Sequence, residues 1–243
     1  MILLDKLSWY LGSIGGYIVQ MLPCMLAGIA VFCCLVPLRK KRLSRLGLYS
    51  GPIREMGLAL FVAFCAGLAA LTLFPGDFWN YMIRYLLIPE VRAGGFRAAE
   101  FYLSGEELAH RMMGIADVLA PFQEIRRALR TGYPWLMFML WGNIGMFLPI
   151  GFCTALLWRK HRWWKSVLVG LCCSVTIEFI QFFIGRSTDI DDVILNTAGA
   201  LLGYGLFLAV YAVLPGVVAK FRCQDRKETL RNGLFSGNTS PAP

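Results

Sequence analysis

Residues 166–214 read SVLVGLCCSVTIEFIQFFIGRSTDIDDVILNTAGALLGYGLFLAVYAVL. Two apolar runs, about 166–184 and 193–214, flank a polar connector, Gly185-Arg186-Ser187-Thr188-Asp189-Ile190-Asp191-Asp192. About 20 mostly apolar residues in a helix cross the ~30 Å hydrocarbon layer of a bilayer. The stretch therefore reads as two transmembrane helices joined by a tight polar turn. Working outward, three more runs have the same character: about 135–158, 53–75 and 18–37. The expected fold class is all-α, a polytopic transmembrane bundle of about five spans. One transmembrane domain is expected over 18–214, with an outer loop at 76–134. A tail at 215–243 is expected to be partly disordered, because Asn232–Pro243 is rich in Gly, Asn, Ser and Pro.

Composition agrees. The chain of 243 residues is 57% hydrophobic and 16% charged, with mean hydropathy +0.59. Soluble domains hold about 45–50% apolar and about 25% charged residues. The net charge of +9 would suggest nucleic acid in a soluble protein. Here the cations follow the spans, so nucleic acid is not an expected partner. The eight cysteines form no C-x-x-C pair, and all but Cys223 lie in apolar runs. They read as free thiols packed as small hydrophobes.

Alternate loops are basic. Arg39, Lys40, Lys41, Arg42 and Arg45 follow the first span, and Arg159, Lys160, Arg162 and Lys165 follow the third. More cations follow the fifth. The positive-inside rule places these loops in the cytoplasm, with the N-terminus outside and the C-terminus inside. The first run carries its basic cluster after the apolar stretch, the wrong order for a cleaved signal peptide. The loop 76–134 balances seven Arg with seven acids. Ser104-Gly-Glu-Glu107 has capping-box spacing, and Leu119, Phe122, Ile125 and Leu129 recur at helical spacing. Amphipathic helices on the outer leaflet are expected there.

Ionisable groups inside a span cost at least ~2.5–3.5 kcal/mol, so they face the protein interior and have partners. Glu178 is such a group, and Gln181 shares its helical face. At 1.5 Å rise per residue, Glu178 sits ~10 Å, Asn196 ~5 Å and Asn143 ~12 Å below the outer end of its span. Three helices thus place polar groups in one outer-leaflet slab. Arg186, Asp189, Asp191 and Asp192 crown it. Gly199-x-x-x-Gly203 would let a neighbouring helix approach closely, as would Gly142, Gly145 and Gly151.

The order Glu178-x-x-Gln181, Gly185-Arg186, Asp189-x-Asp191-Asp192, Asn196-Thr-x-Gly199 resembles the signature of the VanZ-like membrane family. Asn143-x-x-x-Phe147-x-Pro149-x-Gly151 resembles its other characteristic block. Thr72-Leu73 and Pro121-Phe122 are weaker marks, and the likeness covers about residues 55–212. The resemblance implies a bacterial cell-membrane protein of the type associated with teicoplanin resistance; teicoplanin is a lipid-tailed glycopeptide.

The leading expectation is a binding role without a cofactor, in an outer-leaflet polar pocket of Asn143, Glu178, Gln181, Arg186, Asp189, Asp192 and Asn196. Its ligand would be a lipid head group, a lipoglycopeptide or a lipid-linked cell-wall precursor, with Arg186 clamping an anion such as phosphate. The alternative is an intramembrane enzyme on a lipid-linked envelope intermediate. Glu178 would be its general acid or base, and Asp189, Asp191 and Asp192 would offer hard oxygens to Mg²⁺ or Ca²⁺. No nucleophile–His pair or zinc-ligand spacing supports that alternative, and His110 and His161 fall on opposite sides of the membrane. A small transporter with a proton-relaying acid is the third reading, without an inverted repeat to support it.

Overall fold

A computed structural model of the chain describes residues 2–74, 78–95, 103–158 and 162–225. Most of the tail expected to be disordered lies outside these residues. Among them the chain is almost wholly helical, as the all-α expectation requires. The long helices are α1 (Ile2–Arg45) and, after strand β1 (Leu48–Tyr49), α2 (Pro52–Leu73). Five short helices follow: α3 (Phe78–Leu87), α4 (Pro89–Ala93), α5 (Gly105–Met113), α6 (Ile115–Val118) and α7 (Gln123–Thr131). Then come α8 (Pro134–Leu157), α9 (Trp163–Phe183), α10 (Ile190–Val213), the short α11 (Pro215–Lys220) and strand β2 (Gln224–Asp225).

Among the described residues, five helices are long and apolar enough to cross a membrane: α1 from Ile14 onward, α2, α8, α9 and α10. Their partners follow from composition. A helix that is apolar all round has no polar face to give to water, so it is covered by lipid or by other helices. Leu and Phe side chains at Leu60, Leu168, Phe179 and Leu202 accordingly stay exposed. α1 differs from the expected run at 18–37. Its 44 residues make a rod of ~66 Å, about twice the hydrocarbon thickness.

Apolar burial drives little association between helices in lipid, so close approach and polar ties must do it. α8 and α10 come together backbone to backbone. A Cβ on Gly199 would strike the Ile144 carbonyl, and one on Gly203 the Leu148 carbonyl and the Phe152 amide. In return, a Cβ on Gly151 would strike the Ala200 carbonyl. Gly142 and Gly145 face open space instead and take no part in this contact. α9 joins through Gly170 against Ala200 and through Ser166, whose hydroxyl donates to the Gly151 carbonyl at 3.0 Å. Two apolar clusters fill the remainder: Phe147, Ile150 and Leu68, and Ala155, Leu156, Leu157, Phe207 and Val218.

The contact predicts a sharp position effect. Gly203→Ala should cost about 1–3 kcal/mol of stability, because backbone atoms cannot step aside for the methyl group. Gly205→Ala, in open space on the same helix, should change stability by less than about 0.5 kcal/mol. Unfolding in a mixed-micelle denaturant series measures both; equal effects would refute the close contact.

Candidate functional site

The site is built around the connector between α9 and α10. α9 stops because Gly185 adopts φ 81, a left-handed conformation suited to glycine. The Arg186 amide then donates back to the Gln181 carbonyl at 3.0 Å, which closes a Schellman turn. Asp189 starts α10 as its N-cap, its side chain accepting the Asp191 amide at 2.9 Å. α10 therefore begins at Ile190, three residues before the expected span. Asp191 and Asp192 lie in its first turn, where the helix dipole favours negative charge.

Each connector carboxylate holds a different element. Asp191 is only 1% exposed, and its two oxygens accept the Phe122 amide and the Ile125 amide, the latter at 3.0 Å. These are N-terminal amides of α7, which has no side-chain cap of its own. Asp191 thus caps a helix more than sixty residues away in sequence. Phe122 stands at φ 65, a left-handed backbone that costs a side-chain-bearing residue about 1–2 kcal/mol. Its bond to a buried carboxylate offsets that strain. Asp192 accepts from the Asn143 side-chain amide of α8. Asp189 donates its own amide to Glu178 Oε2 at 3.1 Å.

The other predicted site residues anchor the connector from below and from the side. Glu178 and Gln181 are buried. The Gln181 amide donates to the Thr72 carbonyl at 2.8 Å, and the Arg186 guanidinium donates to the Phe74 carbonyl. Thr72 and Phe74 lie at the C-terminal end of α2, where carbonyls lack intrahelical partners and a cation is favoured. Burial lowers the pKa of Arg186 and raises that of Asp189. Asn196 lies deeper, donating to Ser174 Oγ at 2.8 Å, while its own carbonyl oxygen is buried without a partner.

The predicted residues therefore fall into two groups. Asn143, Asp189 and Asp192, with Asp191, line a cleft of about 190 Å³ between α7, α8 and the connector. Glu178, Gln181, Arg186 and Asn196 are not among its lining residues. Glu124 and Ser187 add to the polar rim, and Leu136, Met139, Leu140 and Leu195 form an apolar wall. Among the described residues, no three His, Cys, Asp or Glu side chains are arranged to hold a metal ion, so the trio Asp189, Asp191 and Asp192 does not form a ready-made cation cage.

The motif order and this geometry meet in one comparison: residues 98–212 match the VanZ/LLP1 family model. Residues 98–212 are VanZ-like. The match takes in the connector, α8–α10 and the loop helices α5–α7, and falls a little short of half the chain. It begins well after residue 55, where the motif resemblance starts. No curated protein and no solved structure matches the chain.

Three features of this VanZ-like site are not evident from the motifs. Ser174 was legible in principle, since it lies four residues before Glu178 on one helical face. Glu124 lies two residues after the Pro121-Phe122 pair. That Asp191 caps α7 had no local signal, because its partners are backbone amides of a distant segment.

The Asn143–Asp192 tie predicts a measurable coupling. In a double-mutant cycle of Asn143→Ala and Asp192→Ala, the coupling energy should lie between about 0.6 and 1.7 kcal/mol, the average and the maximum for polar pairs between membrane helices. Strictly additive losses would show that α8 is not held through this pair.

Proposed function

We propose that the protein is a binding protein of the bacterial cell membrane that receives the head group of an amphiphile in the cleft between α7, α8 and the connector. One observation carries this reading: the cleft joins a polar rim of Glu124, Asn143, Asp189 and Asp192 to an apolar wall of Leu136, Met139, Leu140 and Leu195. Such a surface suits a ligand with one wet end and one oily end.

The chemistry of the rim narrows the ligand. Its side chains are mainly acceptors, so they suit a head group rich in donors: ammonium, amide N–H or hydroxyl. Arg186, expected to clamp a phosphate, bonds to the Phe74 carbonyl instead. A lipoglycopeptide or a lipid with an amine- or sugar-bearing head group fits this rim. The basic loops support an orientation with the cleft in the outer leaflet and the C-terminus in the cytoplasm. Glu178, which an intramembrane enzyme would need as its acid or base, binds the Asp189 amide and lies outside the cleft lining.

The test uses a susceptible Gram-positive host expressing wild type, Asn143→Leu or Asp189→Asn at matched membrane levels. Wild type should protect against teicoplanin and leave vancomycin susceptibility unchanged, and both variants should lose the protection. Native mass spectrometry of the purified proteins reads any co-purified amphiphile in parallel. If neither protection nor a retained amphiphile depends on these side chains, the reading is wrong.

A further inference from the structure

The opposite end of the bundle carries a second cleft, of about 230 Å³, lined by Lys40, Leu43, Ser44, Leu48, Tyr49 and Ser50. We propose that it holds the phosphodiester head of an anionic phospholipid. It does not depend on the reading of the first cleft.

The charge at this end is one-sided. α1 closes with Arg39, Lys40, Lys41, Arg42 and Arg45, and among the described residues at this end only Glu55 and Asp225 oppose the cations. Glu55 is already taken, forming an ion pair with Arg39. Lys40 is left exposed at the mouth of the cleft, with the hydroxyl-bearing Ser44 one helical turn away.

The far wall is built in advance. β1 pairs antiparallel with β2, Leu48 opposite Asp225 and Tyr49 opposite Gln224. The Cys223 thiol adds a bond to the Tyr49 carbonyl at 3.3 Å. Ser50 is buried, and Arg54 donates to its hydroxyl at 2.9 Å, which brings a second cation beside the cleft. The chain after α10 thus returns to fix the wall, so little ordering remains to oppose binding.

Arg54 also donates to the Leu157 carbonyl at 3.5 Å, which ties the cleft to the end of α8 beside Trp158. Lys165 lies over the rings of Trp158 and Trp164, at 4.9 and 5.6 Å. Tryptophan at a span's end marks the membrane–water interface. The cleft pairs a cation and hydroxyls with Leu43 and Leu48, which suits a phosphodiester above the start of its acyl chains. A cytoplasmic leaflet rich in anionic lipid attracts basic segments in general; a shaped cleft adds selection at one lysine among several.

Native mass spectrometry of the full chain in detergent, titrated with phosphatidylglycerol or phosphatidylcholine, tests this. The wild type should retain one phosphatidylglycerol in preference to phosphatidylcholine. Lys40→Gln should weaken that binding about fivefold, the size expected for one cation near an anionic surface. Ser44→Leu, which fills the cleft at constant charge, should also weaken it, while Lys41→Gln should change it less than twofold. Equal losses in Lys40→Gln and Lys41→Gln would overturn the site in favour of diffuse charge. So would unchanged binding in Ser44→Leu, or displacement of the lipid by millimolar inorganic phosphate.

Discussion

A buried carboxylate with two backbone amides organises the connector end of this protein. Asp191 accepts the amides of Phe122 and Ile125 and so fixes the start of α7 against the start of α10. The bond answers a constraint that membranes impose strictly. Polar backbone at a helix end must find a partner, because hydrocarbon offers none. The same logic recurs around the connector. Gln181 and Arg186 satisfy carbonyls at the end of α2, and Arg111 of α5 donates to the Phe182 carbonyl at the end of α9 at 3.1 Å. Residues that look like a ligand set in sequence are here also the means by which helix ends are finished.

This dual use separates a scaffold from a site. Glu178, Gln181 and Arg186 brace the connector, and Asn196 ties α10 to α9 through Ser174. Asn143, Asp189 and Asp192 line the cleft, with Asp189 held by Glu178 and Asp192 by Asn143. Glycine lets α8 and α10 touch through their backbones, which brings Asn143 close to Asp192. A looser α8–α10 pair would separate them. The cleft therefore depends on packing along the span as much as on its own side chains.

Much of this was legible in the sequence. Apolar runs separated by charged loops show the spans, because the cost of burying charge in lipid leaves few alternatives. Gly199 and Gly203 at helical spacing mark a packing face, and the Ser104–Glu107 capping box is formed by its local spacing, with both side chain–amide bonds present. What was not legible depends on segments distant in sequence. Gly142 and Gly145 have the same composition as Gly151, yet only Gly151 meets a neighbouring backbone. Arg186 was expected to face a ligand, but it turns to a helix end supplied by α2. The left-handed Phe122 has no composition cue, since its conformation is held by Asp191 from another helix.

Hydrogen exchange at the Phe122 and Ile125 amides tests the central claim, that Asp191 anchors α7 and so shapes the cleft. In the wild type both amides should be protected well beyond those of exposed loop positions. In Asp191→Ala both should exchange at least tenfold faster, since losing the acceptor leaves buried donors unpaired at about 1–3 kcal/mol each, while α8 and α10 amides near Gly151 and Gly203 keep their protection. Unchanged protection in Asp191→Ala would contradict the account.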